Sequence, residues 1–482
     1  MNNTKLIQIL KTFSKEEMKE FDKFVSSPYH SRGRDMKKFF SVLKSYYPDI
    51  GNEKITYEKV YSKLYPGEKY SKKKGENMIR VLSFDLIKLA DEFLTYEDFK
   101  SKKLQNRVSL IYVYIKRNLK GHYTKLFDDT EKNMHNLIDG YTSYDFFNLY
   151  VFKMYELMFK LNNNDKMKSL LESQAYFLIV FFLCAQCFID HNHKGNNIYN
   201  IKNNEDLVEK LMREFNFENY ISHLNKKSRL KKTEKEILEL SYYGLLYTLN
   251  RSNEAYISKV EKLFYKNKHH FRDDHKLSFY FLLNDAFDMQ PDQKKSLILY
   301  KKILEDKIFD PPRIMPNMLY MNILFIFSEF NPDDAEKFIV KYLDCLDTDM
   351  KDSYLNFGFA YVEFKRKNFN KALDYISKVD IAFFYFKYHL KTLYLQLYFE
   401  LNYTEEAKSM TDAFKHFLKK NRLVSEKNYS RYSNFLKYYI RLLKIKTSGD
   451  KSGLKIIHKD ISGEERLIFF KKWFLEKADE MI

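Results

Sequence analysis

Glycine, proline, cysteine, tryptophan and arginine are all scarce in this sequence, and each shortage excludes something. Twelve Gly and eight Pro in 482 residues fall far below the roughly 7% and 5% of average usage, leaving few turns or bulges to punctuate a sheet. An all-α fold is expected. Three Cys cannot build a disulfide framework and suit a reducing compartment. Arg numbers 15 against 68 Lys, although Arg is the residue preferred for bidentate phosphate recognition. The formal charge of +18 is therefore weak support for an acidic partner, and its distribution matters more. No G-x-G-x-x-G, P-loop, H-E-x-x-H, G-x-S-x-G or EF-hand signature occurs, so no catalytic or cofactor-binding residue is nominated and an enzyme is not expected. A secretory signal is not evident either. The most hydrophobic run, Ala175 to Ile189, has 15 residues against the roughly 20 that a bilayer requires. It is expected to be a helix buried on all sides in a cytoplasmic protein.

What is present fills a helical interior. The chain is 45% apolar, with 43 Phe and 39 Tyr, enough for a packed core. Three regions are expected: a helical N-terminal domain over 1–100, a body of helical hairpins over 101–446, and capping helices over 447–482. In the first, Ser14-Lys15-Glu16-Glu17 has the form of a capping box and Thr56 that of an N-cap. Lys72, Lys73, Lys74 and Arg80 open its last helix, where a nucleic-acid backbone is one conceivable contact. In the body, turns such as Asn331-Pro332-Asp333-Asp334 mark the hairpin corners. In the last region, Ser462-Gly463-Glu464-Glu465 predicts the start of a terminal helix that covers the final hairpin with Leu467, Phe470, Phe474 and Ala478.

The clearest internal pattern lies between Tyr354 and Leu418. Tyr354, Phe357, Gly358 and Tyr361 follow the W-x2-L-G-x2-Y spacing, and Ala372 with Ile376 follows the A-x3-F spacing. A second unit places Tyr398 nine residues before Ala407, and Ala372 to Ala407 is 35 residues. A small residue lets two helices approach closely while large ones fill the groove on either side. The two hairpins resemble tetratricopeptide repeats, with Leu395 and Thr411 departing from the pattern. The resemblance implies an α-solenoid acting as a protein-interaction scaffold or adaptor. Its inner surface would hold a peptide or helix of a partner protein, with residues such as Asn356 in contact.

Two other constellations stand out. Residues 415–459 carry thirteen Lys or Arg against Glu426 and Asp450. On a helical projection Lys427, Arg431, Lys437, Arg441 and Lys444 form one stripe with Tyr438 among them. Such a stripe suits a nucleic acid or another polyanion, the alternative function, or is an ordinary wet face. Cys184, Cys187, His191 and His193 offer ligand types that zinc accepts. The two thiols lie in the most apolar run, where Cys behaves as a small hydrophobe, and no metal is expected. His269 to His275 reads as a polar loop.

Overall fold

The computed structural model describes residues 1, 4–30, 36–50, 55–138, 140–159, 164–195, 210, 219, 221–222, 232–289, 292–310, 313–346, 351–380, 384–420, 426–449, 452–463 and 469–481, with the backbone alone at 164–166, 186–195, 288–289, 384–386, 426–427 and 452. Among the described residues there are twenty-three α-helices, two 3-10 turns and no strand. The chain divides into two compact units, Met1–Ala175 and Tyr176–Ile482.

The first unit contains α1 Lys5–Lys11, α2 Lys15–Ser26, α3 Met36–Lys44, α4 Tyr57–Leu64, α5 Lys72–Ser101, α6 Lys103–Lys116, α7 Lys120–Lys132, α8 Met134–Leu137, α9 Ser143–Phe159 and the start of α10 Asn164–Gly195. Ser14 accepts from the Glu17 amide while the Glu17 carboxylate accepts from the Ser14 amide, so α2 opens in a true capping box. Thr56 caps α4 in the same sense, accepting from the Lys59 amide. These bonds satisfy amide groups that the first turn of a helix leaves without partners. The core of α1 to α5 is aromatic: the Phe21 ring meets those of Phe13 at 5.4 Å, Phe40 at 4.8 Å and Phe93 at 5.2 Å. Lys72, Lys73 and Lys74 are exposed at the start of α5, and Arg80 pairs with Glu76 at 3.3 Å. Farther along, Arg107 on α6 pairs with Asp129 on α7 at 2.6 Å.

The second unit continues with α11 Lys232–Leu249, α12 Glu254–Asn267, α13 Asp273–Met289, α14 Gln293–Glu305, α15 Asn317–Phe330, α16 Pro332–Tyr342, α17 Lys351–Lys365, α18 Phe369–Ser377, α19 Phe384–Glu400, α20 Thr404–Lys420, α21 Glu426–Ser448, α22 Ser452–Gly463 and α23 Lys471–Met481. From α11 to α20 successive helices pack as pairs, and each pair packs on the next. The result is a repeat-like array. Its turns are short: Asn331 accepts from the Asp333 amide at 3.0 Å, and Pro332 supplies the first residue of α16. Lys367 and Asn402 take left-handed φ of 63° and 60° in the next two turns. Cross-links stiffen the corners. Tyr280 Oη and Lys268 Nζ both donate to Asp306 at 2.6 Å.

The residues singled out as packing positions lie inside this array. Tyr354, Phe357, Tyr361, Ala372, Ile376 and Ala407 are buried, as is Gly358, while Tyr398 is half-buried. A Cβ at Gly358 would stand 2.9 Å from Ile339 Cδ1 and 3.1 Å from Ile339 Cγ1. Glycine there lets α17 close onto α16. Tyr320, Tyr354 and Tyr388 recur at intervals of 34 residues, one on each of α15, α17 and α19, all fully buried.

Two expectations need correction. The last helix begins at Lys471, not near Glu464: Ser462 and Gly463 end α22 instead, and Phe470, with φ 61°, sets the break before α23. Leu467, Glu464 and Glu465 lie outside the described residues. The apolar run also differs from a helix buried on all sides. Its apolar window begins earlier, at Met167, and Met167–Ala185 is long and apolar enough to cross a membrane by length and composition, with mean hydropathy 1.4 and 22% of the window buried. Leu178 in its middle is 44% exposed, and the inward side packs on α11 through Tyr176 Oη, which donates to the Glu234 carbonyl at 3.1 Å.

The Gly358 contact yields a prediction. Gly358→Leu overpacks the α16–α17 seam and should lower stability by about 2 kcal/mol or more. Adding Ile339→Ala should cost less than its own single substitution predicts, because the new side chain fills the space vacated. Thermal unfolding followed by helical circular dichroism in a double-mutant cycle checks this; strict additivity would place the two residues out of contact.

Candidate protein-interaction face

The first helices of three successive pairs touch one another directly, α15 with α17 and α17 with α19. Phe325 on α15 makes the junction. Its ring lies 4.8 Å from Tyr361 on α17 and 4.9 Å from His389 on α19, so one aromatic side chain spans three hairpins. Burial pulls His389 down to about 3, which keeps its imidazole neutral among these rings.

Charged residues at the ends of the same helices form a second layer. Glu329 on α15 accepts from Lys365 on α17 at 2.5 Å and also from Lys472 on α23. Glu400 on α19 accepts from Trp473 Nε1 at 2.8 Å and pairs with Lys477 at 3.1 Å, both on α23. Lys367, in the turn after α17, pairs with Glu476 of α23 at 3.2 Å. The Trp473 ring packs edge-on against Phe399 at 5.4 Å and parallel to Tyr439 at 6.4 Å. Hence α23 does more than close the array beside α21 and α22: it reaches back across α19 and α17 to α15.

Burial works to raise Glu329, but hydrogen bonds from Lys365 and Lys472 outweigh it and hold the carboxyl below its ordinary value of 4.5. Glu363 on α17 behaves alike: burial opposes Lys371 and Asn368, and the net direction is down. Glu363 Oε1 accepts from Lys371 at 2.8 Å and its Oε2 from Asn368 Nδ2 at 2.8 Å, which fixes the α17–α18 turn. Arg366 joins this turn to the start of α16 through Asp333 and Glu336.

The basic stripe on α21 is placed differently from a free surface. Tyr438 is 1% exposed, turned toward Phe474 on α23 at 6.5 Å. Arg441 pairs with Asp460 on α22 at 2.8 Å, and Arg431 lies over the Phe469 ring at 5.3 Å. Lys437 and Lys444 are exposed, and the Lys427 side chain lies outside the described residues. Asn356 donates to the Asp352 carbonyl of its own helix at 2.9 Å.

Of the possible metal set, Cys184 is described: burial pushes its thiol up to about 12, and it meets Ser241 Oγ at 3.0 Å. The side chains of Cys187, His191 and His193 lie outside the described residues. Among the described residues no three His, Cys, Asp or Glu side chains gather as a metal site would require.

Sequence reading nominates none of Glu329, Lys365, Glu400, Trp473 or Lys477. A signal for the first three exists, because they recur at intervals of 36 and 35 residues, close to the 37 and 35 that separate the buried small residues Ala335 on α16, Ala372 on α18 and Ala407 on α20. Trp473 is the one Trp of the chain. Comparison with protein-family models, curated proteins and solved structures finds no match to this chain.

The depressed glutamates predict an acid response of definite sign. With folded-state values below 4.5, their pairing contributes fully above pH 4.5 and is lost as the pH falls through the lower folded values. Unfolding midpoints measured from pH 7 to pH 3 should therefore drop on the acid side. Glu329→Gln should lower stability by about 1–3 kcal/mol at pH 7 and flatten that drop. An equally steep acid limb in the variant would remove Glu329 from the account.

Proposed function

We propose that this chain is a protein-interaction scaffold whose second unit has tetratricopeptide-like geometry and holds a helix or peptide of a partner protein. One observation carries the reading: α15, α17 and α19 touch in series, while α16 and α18 each touch both the first helix of their own pair and that of the next. The 34-residue recurrence of Tyr320, Tyr354 and Tyr388 supports the repeat type, since that interval is the tetratricopeptide period. Such arrays gather one residue from each repeat onto a shared face, which suits extended contact better than turnover at one centre. A cytoplasmic setting and a protein partner belong to the same proposal.

A polyanion reading draws less support from α21, because Tyr438 is buried and Arg441 is paired with Asp460; in the N-terminal head Lys72, Lys73 and Lys74 are exposed. Lys437 and Lys444 remain as exposed cations.

Site-specific photo-cross-linking in the native cell tests the scaffold reading. A cross-linker at Lys365, on the shared face, should capture a discrete protein partner, whereas one at Lys337, on α16, should not. Equal capture from both positions, or from neither, would count against it. Duplex DNA and RNA titrated at low salt should bind no better to the chain than to a Lys437→Glu, Lys444→Glu variant. Steeply salt-dependent binding lost in that variant would put the nucleic-acid reading first.

A further inference from the structure

We propose that the ends of α15, α17 and α19 form a docking surface for an amphipathic partner helix that carries an aromatic ring and a lysine one turn apart, and that α23 is an internal occupant which such a partner displaces. The proposal rests on the scaffold reading and specifies the ligand of its face.

The shape of α23 is that of a bound helix. Trp473, Phe474, Lys477 and Ala478 are buried along one side. Residues 473 and 477 are one turn apart and therefore face the same way. Both end on the same Glu400 carboxylate, Trp473 Nε1 at 2.8 Å and Lys477 Nζ at 3.1 Å. Glu400 is thus a two-point receptor for an indole and an ammonium group. The Lys477 side chain is only 6% exposed, so its charge is supported by Glu400 and by Glu480 at 2.6 Å and not by water.

The remaining polar contacts are matched by sign. Lys472 meets Glu329, Glu476 meets Lys367, and Lys477 meets Glu400. The array side reads acidic, basic, acidic along three successive hairpins, and the helix side supplies the complement. A helix that merely closed the end of a solenoid would need apolar cover for the last pair alone. Contacts 143 residues apart in sequence, as between Lys472 and Glu329, go beyond that need. They set register along the face.

The energetics suit exchange. Lys472 and Lys367 are 79% and 67% exposed, although Glu329 beneath Lys472 is only 14% exposed, so the cationic ends of these two pairs lie in water and can change partners. Specificity thus comes from the rim, and holding comes from Trp473 with the Glu400 receptor together with Phe474, whose ring packs on Phe435 of α21 at 5.3 Å while the helix lies against α22. A tethered helix acts at an effective concentration on the order of millimolar, so an outside helix of the same pattern must bind more tightly than that to replace it.

The test uses full-length chain and a labelled synthetic peptide with the sequence of residues 469–482. In the Trp473→Ala, Lys477→Ala variant the internal anchor is lost while Glu400 and Glu329 stay. The peptide should bind this variant at least ~10-fold more tightly than the unaltered chain, as expected when an internal competitor is removed. Adding Glu400→Lys should abolish that binding. Equal binding to variant and unaltered chain, or binding to neither, overturns the proposal. So does collapse of the variant's cooperative unfolding, because α23 would then be part of the core. On the unaltered chain, amides of α23 should exchange hydrogen at least ~10-fold faster than those of α19 and α21, through local opening; equal protection overturns the proposal without any substitution. If the peptide fails while cross-links from Lys365 still capture a partner, this inference falls alone. If both fail, the scaffold reading falls with it.

Discussion

A helical hairpin shields only one side of each of its helices, so its apolar remainder must be covered by the next hairpin, and the second unit is built on that need. The closeness of the cover decides the rest. At Gly358 the backbone of α17 approaches Ile339 so nearly that no side chain fits without displacing it, which seats α17 on α16 within a series where α15 touches α17 and α17 touches α19. Once they are aligned, Phe325 reaches both Tyr361 and His389, and the helix ends bring Glu329, Lys365 and Glu400 to one region. A looser seam would separate these groups, and no single helix such as α23 could contact all three first helices or their turns.

The polar groups follow from the same packing. Glu363 has 4% of its side chain exposed, a costly position for a carboxylate, and it is satisfied by Lys371, Asn368 and Arg366 at the turn of its own hairpin. Glu329 is treated similarly, except that one of its cations comes from the neighbouring hairpin and another from α23. The charges therefore do two jobs. Those at turns fix hairpin geometry, whereas those at the helix ends select what lies across the face. Tyr388, stacked on Tyr432 at 4.7 Å, carries the aromatic spine on into α21.

Much of this was legible in the sequence and some was not. Scarce glycine and proline announced the helices, and the capping signals at Ser14, Thr56 and Asn331 stand where the structure has helix starts. Tyr354, Gly358 and Ala372 were readable because close packing restricts which residues those positions accept. The preceding unit is legible as a hairpin over 316–329 and 333–345 with Ala335 in the small-residue role, whereas its first-helix signature around Tyr320 is hidden because Leu324 stands where Gly358 does. Tyr438 is buried where a helical projection places it in the basic stripe, because a projection ranks residues by angle but does not say which neighbours cover that angle, and here α23 does; Arg441 stays partly exposed in its pair with Asp460. The break at Phe470 was not readable, since a left-handed aromatic residue carries no turn signal. The receptor role of Glu400 depends on a helix more than seventy residues away in sequence, which local pattern does not encode.

The most direct measurement is zero-length carbodiimide cross-linking of the full-length chain, with the joined peptides identified by mass spectrometry. The account predicts amide bonds between Lys472 and Glu329 and between Lys477 and Glu400, joining α23 to α15 and to α19. Cross-links from these lysines confined to residues 452–482, with none to Glu329 or Glu400, would contradict it.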